Sequence, residues 1–521
     1  MKTGLSWGWP LMLIGLAGAA DAQVATSESS CRSAYGDIWA DDRSGSAIRQ
    51  IDGDRIRSLS DLADATRGPA SGVTKIKGGD FSGWDFTGAN LSSLCFEGSK
   101  LAGANLSKVK ASGTGFVQAD LTGANMAGAS IRRVLFRNAG LKNSIATGAD
   151  FSQGHFDGGW FEGSIEGWNI DGADLTGFVF ACGITVPDGC PVYQGGDGIS
   201  ARGADLTGAT LHSFGLHDAD LNGAIVDRTI IGPGQLPALA EAEFRGPLVL
   251  RGGDRDVEIS AGDAQQLLAE NTRQAASETV ASFDCAKAAS KVEQAICGEH
   301  ASDLRRADRE MAALYQQAKT VDAGVRAGQL AWLKQRNRCA TADYPSECIR
   351  DSYAMRKGQL LGLLGETGWL GKGEAALFVD DVLPLPAAFR QSALFENIIP
   401  VLVASSMTEI LVERDDNGLY AIRGSAVGAN AHLCSLSASH LYFDRKSGWY
   451  IPVSEGPAIP IFRIFDGRIE IFAGGRPDYE QYPDASDFMS CGMRASFGET
   501  IRIDADEALI RRARQSLSEE R

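Results

Sequence analysis

The sequence predicts three folded parts in series: a four-sided β-helix, a small all-α domain stapled by disulfides, and a C-terminal α+β domain. Three observations carry that prediction. An apolar residue recurs at every fifth position through much of the first half. Four cysteines fall within a run of helical stripes, and hairpin dipeptides at Asn417-Gly418 and Asp466-Gly467 mark the last third.

Phe81, Phe86, Leu91, Phe96, Leu101, Leu106, Phe116, Leu121, Met126, Ile131, Phe136, Leu141, Phe151, Phe156 and Phe161 share one five-residue phase, interrupted only by Ala111 and Ala146. In an α-helix a step of five turns about 140°, which would scatter these side chains around every face. In a flat strand odd steps alternate between the two faces. A chain that turns a corner after every five residues keeps them all inside, together with the mostly small residues two positions earlier, such as Ala104, Thr114 and Ala119. Four sides close one turn, and turns stack at the roughly 4.8 Å spacing of neighbouring strands.

The stretches Ala89-Asn90-Leu91, Ala119-Asp120-Leu121 and Ala173-Asp174-Leu175 fit the pattern A-(D/N)-L-x-x. From about Gly79 to Val226 the chain resembles pentapeptide-repeat proteins, and the resemblance implies a right-handed quadrilateral β-helix over 79–228. After Phe161 the phase slips by one to Ile165, Ile170, Leu175 and Phe180. Residues 181–203 read as an inserted loop before Leu206, Leu211, Leu216 and Leu221 resume it. The chain has 62 glycines; many fall at the corners, where a small residue is expected to relieve crowding.

Residues 1–22, with one lysine, an apolar run and Ala20-Asp21-Ala22, read as a secretory signal cleaved before Gln23. Residues 23–78 follow as an N-terminal segment that caps the coil. The expected location is the periplasm or the medium. Ten cysteines in an exported chain favour disulfides. Cys182 and Cys190 bracket the inserted loop at hairpin spacing. Cys285, Cys297, Cys339 and Cys348 form a group with three possible connectivities, and Cys434 and Cys491 share the last domain. That leaves Cys31 for Cys95, which precedes Phe96 and is expected to face outward.

A connector over 229–281 leads to the helical domain at 282–365. There Leu304, Ala307, Met311, Leu314 and Ala318 form a stripe opened by Ser302 as N-cap, followed by Val325, Trp332 and Leu333, then Ile349, Tyr353, Leu360 and Leu363. "SFDCAKAASKVEQAIC", "LRRADREMAALYQQA", "QLAWLKQRNRC" and "CIRDSYAMRKGQL" resemble the N-terminal domain of the LprI family, named for lysozyme inhibition, over about Ser282 to Leu364. The resemblance implies a small secreted binding module whose partner is a lysozyme or another envelope protein. A net charge of −16 would attract a basic partner.

Residues 366–521, read as an α+β domain, carry no motif that identifies a family. Besides the two hairpins, strands are expected at Leu441–Phe443, Trp449–Val453 and Thr500–Ile503, with a terminal helix in "ADEALIRRARQSL". Within "KSGWY", Ser447 and Tyr450 are candidate partner contacts, because the segment resembles Ser-Gly loops by which some bacterial lysozyme inhibitors enter the enzyme's cleft. The competing reading is a turn followed by a strand.

Catalytic signatures are missing past the leader: no H-E-x-x-H, G-x-S-x-G or G-x-x-x-x-G-K-[ST] occurs after residue 22. His212 and His217 are expected to project outward without a third metal ligand. Asp415-Asp416 reads as a solvated turn. Asp120, Asp150, Asp174, Asp205 and Asp220 are expected to solvate a coil face, diluted by basic residues such as Lys108, Arg132 and Lys142. Past the leader no stretch approaches about 20 apolar residues, so no membrane span is expected. No cofactor, metal or nucleic-acid partner is expected either. The function read from sequence is that of an exported, non-enzymatic binding protein of the bacterial envelope. The alternatives are a scaffold whose β-helix presents interaction domains, and a hydrolase in the last domain.

Overall fold

The computed structural model describes residues 49–67, 74–158, 167–182, 198–212, 216, 219–366, 368–428, 432–453, 458–472, 488–492 and 495–519. These fall into two compact units. The first holds residues through Cys182 with 198–206 and 219–220; the second holds 207–212, 216 and the chain from Leu221 on.

In the first unit the five-residue phase becomes geometry. Strand β1 (Arg49–Asp52) precedes helix α1 (Leu59–Thr66). Strands β2 (Thr74–Lys77), β3 (Leu94–Glu97), β4 (Gly115–Val117), β5 (Leu135–Arg137), β6 (His155–Gly158) and β7 (Val179–Cys182) follow, and all seven strands stack in chain order as a parallel sheet. Partners along it sit one coil of twenty residues apart, as in Phe96↔Phe116↔Phe136. Three further columns of single bridges complete four sides: Asp80↔Lys100↔Asp120, Asp85↔Asn105↔Asn125 and Asn90↔Lys110↔Ser130. Every position of the phase from Phe81 to Phe156 is at most 1% exposed, and Ser99, Ala104, Thr114 and Ala119, two residues earlier, are buried beside them. The slip of one appears as a 24-residue step at Ile145↔Asn169, and a longer step of 31 residues separates Asn169↔Ser200; the predicted insertion bounds of 181–203 are too wide, since Ala181 and Cys182 belong to β7 and Ser200 already bridges Asp220 in the coil. Phe161, Ile165 and residues 183–197, Cys190 among them, lie outside the described residues.

The corners correct one expectation. Two residues after each large side chain the backbone enters the left-handed region, at Gly83 (φ 69), Gly103 (φ 65) and Gly123 (φ 66), but also at Lys108 (φ 56), Gln118 (φ 54) and Arg133 (φ 53). Nothing lies within 4 Å of a Cβ placed on those three glycines. Glycine is therefore favoured there by the backbone angle, not by crowding. Side chains before the large position also build the corner: Oδ1 of Asp80, Asp120 and Asp150 each accepts the backbone N–H two residues on, at 3.0 Å. These carboxylates hold Asx turns.

Cys95, next to the inward-facing Phe96, is 0% exposed and disulfide-bonded. The Lys75 ammonium lies 2.6 Å from the Glu97 carboxylate, both nearly buried.

In the second unit the coil outlasts its predicted end at 228. Strand β8 (Ile225–Val226) pairs in parallel with β10 (Glu243–Phe244), and β9 (Thr229–Ile231) bridges Thr210 on one side and β11 (Leu248–Gly252) on the other. Strand β12 (Arg255–Ile259) then pairs antiparallel with β11 and ends the parallel column. Helix α2 (Ala261–Glu278) follows, its N-terminus capped by Ser260 Oγ, which accepts from Asp263 N–H at 3.1 Å. The predicted connector is thus a further coil and an 18-residue helix.

Helices α3 (Lys291–Ile296), α4 (Ser302–Val321), α5 (Val325–Arg336) and α6 (Pro345–Leu364) enclose Leu304, Met311, Leu314, Trp332, Ile349 and Tyr353. Ser302 is the first helical residue rather than the cap, which is Ala301. Leu363 is 45% exposed while Leu360 is buried. Among these helices Tyr353 OH donates to Asp308 Oδ1 at 2.7 Å and accepts from Arg336 Nη1 at 2.8 Å, so a buried charge pair is bridged through a phenol.

The last domain is more closed than the predicted α+β layer. Strands β13 (Ala375–Asp380), β14 (Thr408–Arg414), β15 (Tyr420–Val427), β16 (Leu433–Asp444), β17 (Trp449–Pro452), β18 (Phe462–Phe465), β19 (Arg468–Ile471), β20 (Met489–Cys491) and β21 (Thr500–Ile503) form one sheet. Its order is 15-14-13-21-19-18-17-16-20, and an added β15–β16 pairing closes eight of the strands into a barrel. Phe378, Ile410, Tyr420 and Phe462 fill the interior. Helix α7 (Ala393–Ala404) lies between β13 and β14 in sequence, and α8 (Glu507–Glu519) closes the chain. Asp466 and Gly467 both have positive φ (51 and 69), as a two-residue type I′ turn requires. At Asn417-Gly418 only Gly418 does; that connection is a longer loop closed by Asp415 N–H to Leu419 O at 2.8 Å. Among the described residues no helix is long and apolar enough to cross a membrane.

Candidate functional site

Within the second unit, α4 and α6 lie against the barrel strands β18, β19 and β21 and leave a cleft of about 440 Å³. The approach depends on two glycines. A Cβ on Gly358 would stand 2.5 Å from Ser447 O, and one on Gly362 would stand 2.0 Å from Arg445 O. Only glycine lets α6 meet the β16–β17 turn backbone to backbone.

Charged side chains from both sides line the cleft. The Lys357 ammonium reaches Glu310 at 2.8 Å and Glu470 at 3.0 Å. Arg463 grips Glu470 with two bonds of 2.6 and 2.9 Å, donates to Ala354 O at 3.1 Å, and lies over the Trp449 ring at 4.4 Å. The type I′ hairpin sets Arg463 opposite Glu470, which is why that pair is bidentate. Burial works against the Glu470 carboxylate, but Arg463 and Lys357 outweigh it and hold its carboxyl well below the usual range. At one wall Arg350 meets Asp303 at 2.7 Å. At the other, Glu499 pairs with Arg306 and with Arg468, which also reaches Asp381 at 2.7 Å. Burial pushes the Asp381 carboxyl up, against the pull of Arg468 and Arg390.

Of the predicted partner contacts, Ser447 belongs to this joint and Tyr450 to the barrel interior. Ser447 donates from Oγ to Asp444 Oδ2 at 2.5 Å, and the turn's Gly448 lies against Gly358 O. Tyr450 is 2% exposed, stacks on Phe462 at 4.4 Å and accepts from Trp369 Nε1 at 2.7 Å. Burial pushes its hydroxyl up to about 12. A Ser-Gly loop enters a partner only when it projects; here a helix of the same unit covers it.

The cysteines pair as Cys285–Cys297, Cys339–Cys348 and Cys434–Cys491, which selects one of the three connectivities for the central four. Cys31, Cys190 and the side chain of Cys182 lie outside the described residues. His212 is half-buried, and burial together with Arg251 lowers its proton affinity; His217 lies outside the described residues. Among the described residues no group of three or more His, Cys, Asp or Glu is placed to hold a metal.

Sequence reading missed the cleft because its residues span nearly 200 positions. Two signals were nonetheless present. Gly358 and Gly362, four apart in a helix, carry a propensity cost that calls for a packing reason, and Arg463 and Glu470 flank a two-residue turn at cross-strand positions.

The family model for pentapeptide repeats matches residues 99–138 in 8 copies. The coil is built of pentapeptide repeats. Solved structures similar to the chain include trypsin-treated QnrB1, a plasmid-mediated fluoroquinolone resistance protein, at 20% identity over 35% of this chain and 78% of that one, with a TM-score of 0.16. Rfr23, a pentapeptide repeat protein from the cyanobacterium Cyanothece 51142, is 18% identical over 28% and 87%, with a TM-score of 0.12. A pentapeptide repeat protein of the Arabidopsis thaliana thylakoid lumen is 21% identical over 36% and 87%, with a TM-score of 0.12. No curated protein matches the chain.

Proposed function

We propose that the chain is an exported, non-enzymatic binding protein of the bacterial envelope, in which an LprI-like helical domain and the barrel together form the recognition surface. The cleft carries this reading: it is open, lined by charges of both signs, and its main carboxylates are engaged by arginine or lysine rather than left as bases. Three disulfides within the second unit suit an oxidising compartment, in keeping with the leader-like residues 1–22. With the Ser447-Gly448 turn covered, lysozyme inhibition rests on the helical domain and on the acidic charge.

The test is a turbidity assay of lysozyme on cell walls with purified protein. Slowed clearing at micromolar excess supports a lysozyme partner, and unchanged clearing rejects it. Affinity capture from a periplasmic extract, with mature protein beginning at Gln23, then reports on the wider reading: a stoichiometric envelope protein is expected, and retention in the cytosolic fraction refutes export.

A further inference from the structure

At the cleft the barrel wall is split. Among the described residues strand β19 pairs with β21 only at Arg468↔Ile501 and Ile469↔Thr500, whereas on its other side it follows β18 as far as Ile471. The chain before Thr500 stays with β13, because Asp381 N–H donates to Glu499 O at 3.0 Å. In antiparallel strands successive residues direct their backbone groups to opposite neighbours. Phe472 donates to Ile461 O, and Gly467 O accepts from Arg502 N–H; Ile471 therefore directs its N–H and C=O into the split. Thr500 lines the same cleft, is 1% exposed, and its Oγ1 has no hydrogen-bond partner. Buried polar groups are seldom left so.

We propose that this split takes an extended peptide segment of a partner protein, bound as an added strand against Ile471 and hydrogen-bonded to Thr500 Oγ1. The inference rests on the binding-protein reading and specifies what is bound. Strand addition gives affinity through the main chain and specificity through alternate side chains. Here Ala307, Ala354 and Phe465 line the cleft with apolar surface on the helical side and Phe497 on the barrel side. Arg306 and Lys357 stand opposite Glu310 and Glu499 on the rim, so the segment also meets charges of both signs. An acyl chain would strip water from that rim without replacing it, and a polyanion would meet the carboxylates.

The probe is a phage-displayed random heptapeptide library selected on the full chain, with enriched peptides synthesised for fluorescence anisotropy. Micromolar binding is expected, weakened about tenfold by Thr500→Val, which removes one hydrogen bond, while the melting temperature holds or rises. Ala307→Phe should fill the apolar helical side and abolish binding. N-methylation of alternate peptide amides, which leaves the protein untouched, should weaken binding in a period of two. Absence of enrichment, or peptides indifferent to Thr500→Val and to N-methylation, overturns the proposal. If folded Ala307→Phe protein still captures the envelope partner as well as wild type, the split is not the site, while the binding-protein reading stands.

Discussion

Replacing Phe116 with alanine tests the ladder most directly. Phe116 is 0% exposed and its ring lies between Phe96 at 5.6 Å and Phe136 at 5.5 Å, nearly parallel to both at 9° and 14°. Removing a buried phenylalanine costs about 3–5 kcal/mol. Two ring contacts, each worth about 0.5–1.5 kcal/mol beyond area, put this one in the upper half of that range. Stacked coils touch only their neighbours, so the loss should stay local. The amides to watch are Gly98, bonded to Val117 O at 2.9 Å, and Gln118, bonded to Arg137 O at 2.7 Å. Native-state hydrogen exchange should quicken there by roughly 900- to several-thousand-fold, with barrel amides such as Val412 unchanged. Phe116→Leu, which keeps part of the buried volume but loses both ring contacts, should cost less than Phe116→Ala. If Gly98 and Gln118 keep wild-type protection in folded Phe116→Ala, the interior is not a packed ladder.

Gly123→Ala should cost about 1 kcal/mol through its φ of 66 alone, since nothing lies within 4 Å of the new methyl; Gly123→Asn should cost less, as Asn138 and Asn143 already occupy such corners, and equal urea midpoints for all three would refute the angle argument. Gly362→Ala should lower stability by about 2–3 kcal/mol, because Arg445 O stands where the methyl would go; a higher melting temperature, as helix propensity alone would give, contradicts the close approach. For Glu470 the folded carboxyl titrates below its unfolded value of about 4.3, so its contribution is present above that value and fades as pH falls through the folded one. Its side chain is 37% exposed, and solvent screening holds the worth to about 1 kcal/mol. Glu470→Gln should therefore be less stable than wild type by that amount at pH 7 in urea titrations, with the gap narrowing below pH 4; a gap that widens in acid is the refuting result.

The repeat was legible because every fifth side chain meets the same environment, so a single geometric rule applied from Phe81 to Phe156. Where the rule lapsed, so did the reading: the coil through β9 and β11 carries no five-residue phase across Pro233 and Pro237, and it was read as a connector. The helices of 282–365, the terminal helix and both C-terminal hairpins are visible from local periodicity and turn dipeptides, whereas α1, α2 and α7 are not. Closure of the barrel was not, since the β15–β16 pairing turns ribbons into a tube without any local mark.

By itself, then, the sequence determined what depends on spacing: the five-residue inward ladder, the helical stripes, and the turn at Asp466-Gly467. Tertiary structure alone decided the rest. It chose which of three cysteine connectivities forms, buried Tyr450 inside the barrel, set α6 against the Ser447-Gly448 turn, and gathered Lys357, Glu470 and Thr500 into one cleft. Local periodicity is written in neighbouring residues, whereas burial and pairing arise between segments far apart in the chain, and no residue type announces which distant backbone will come to lie against it.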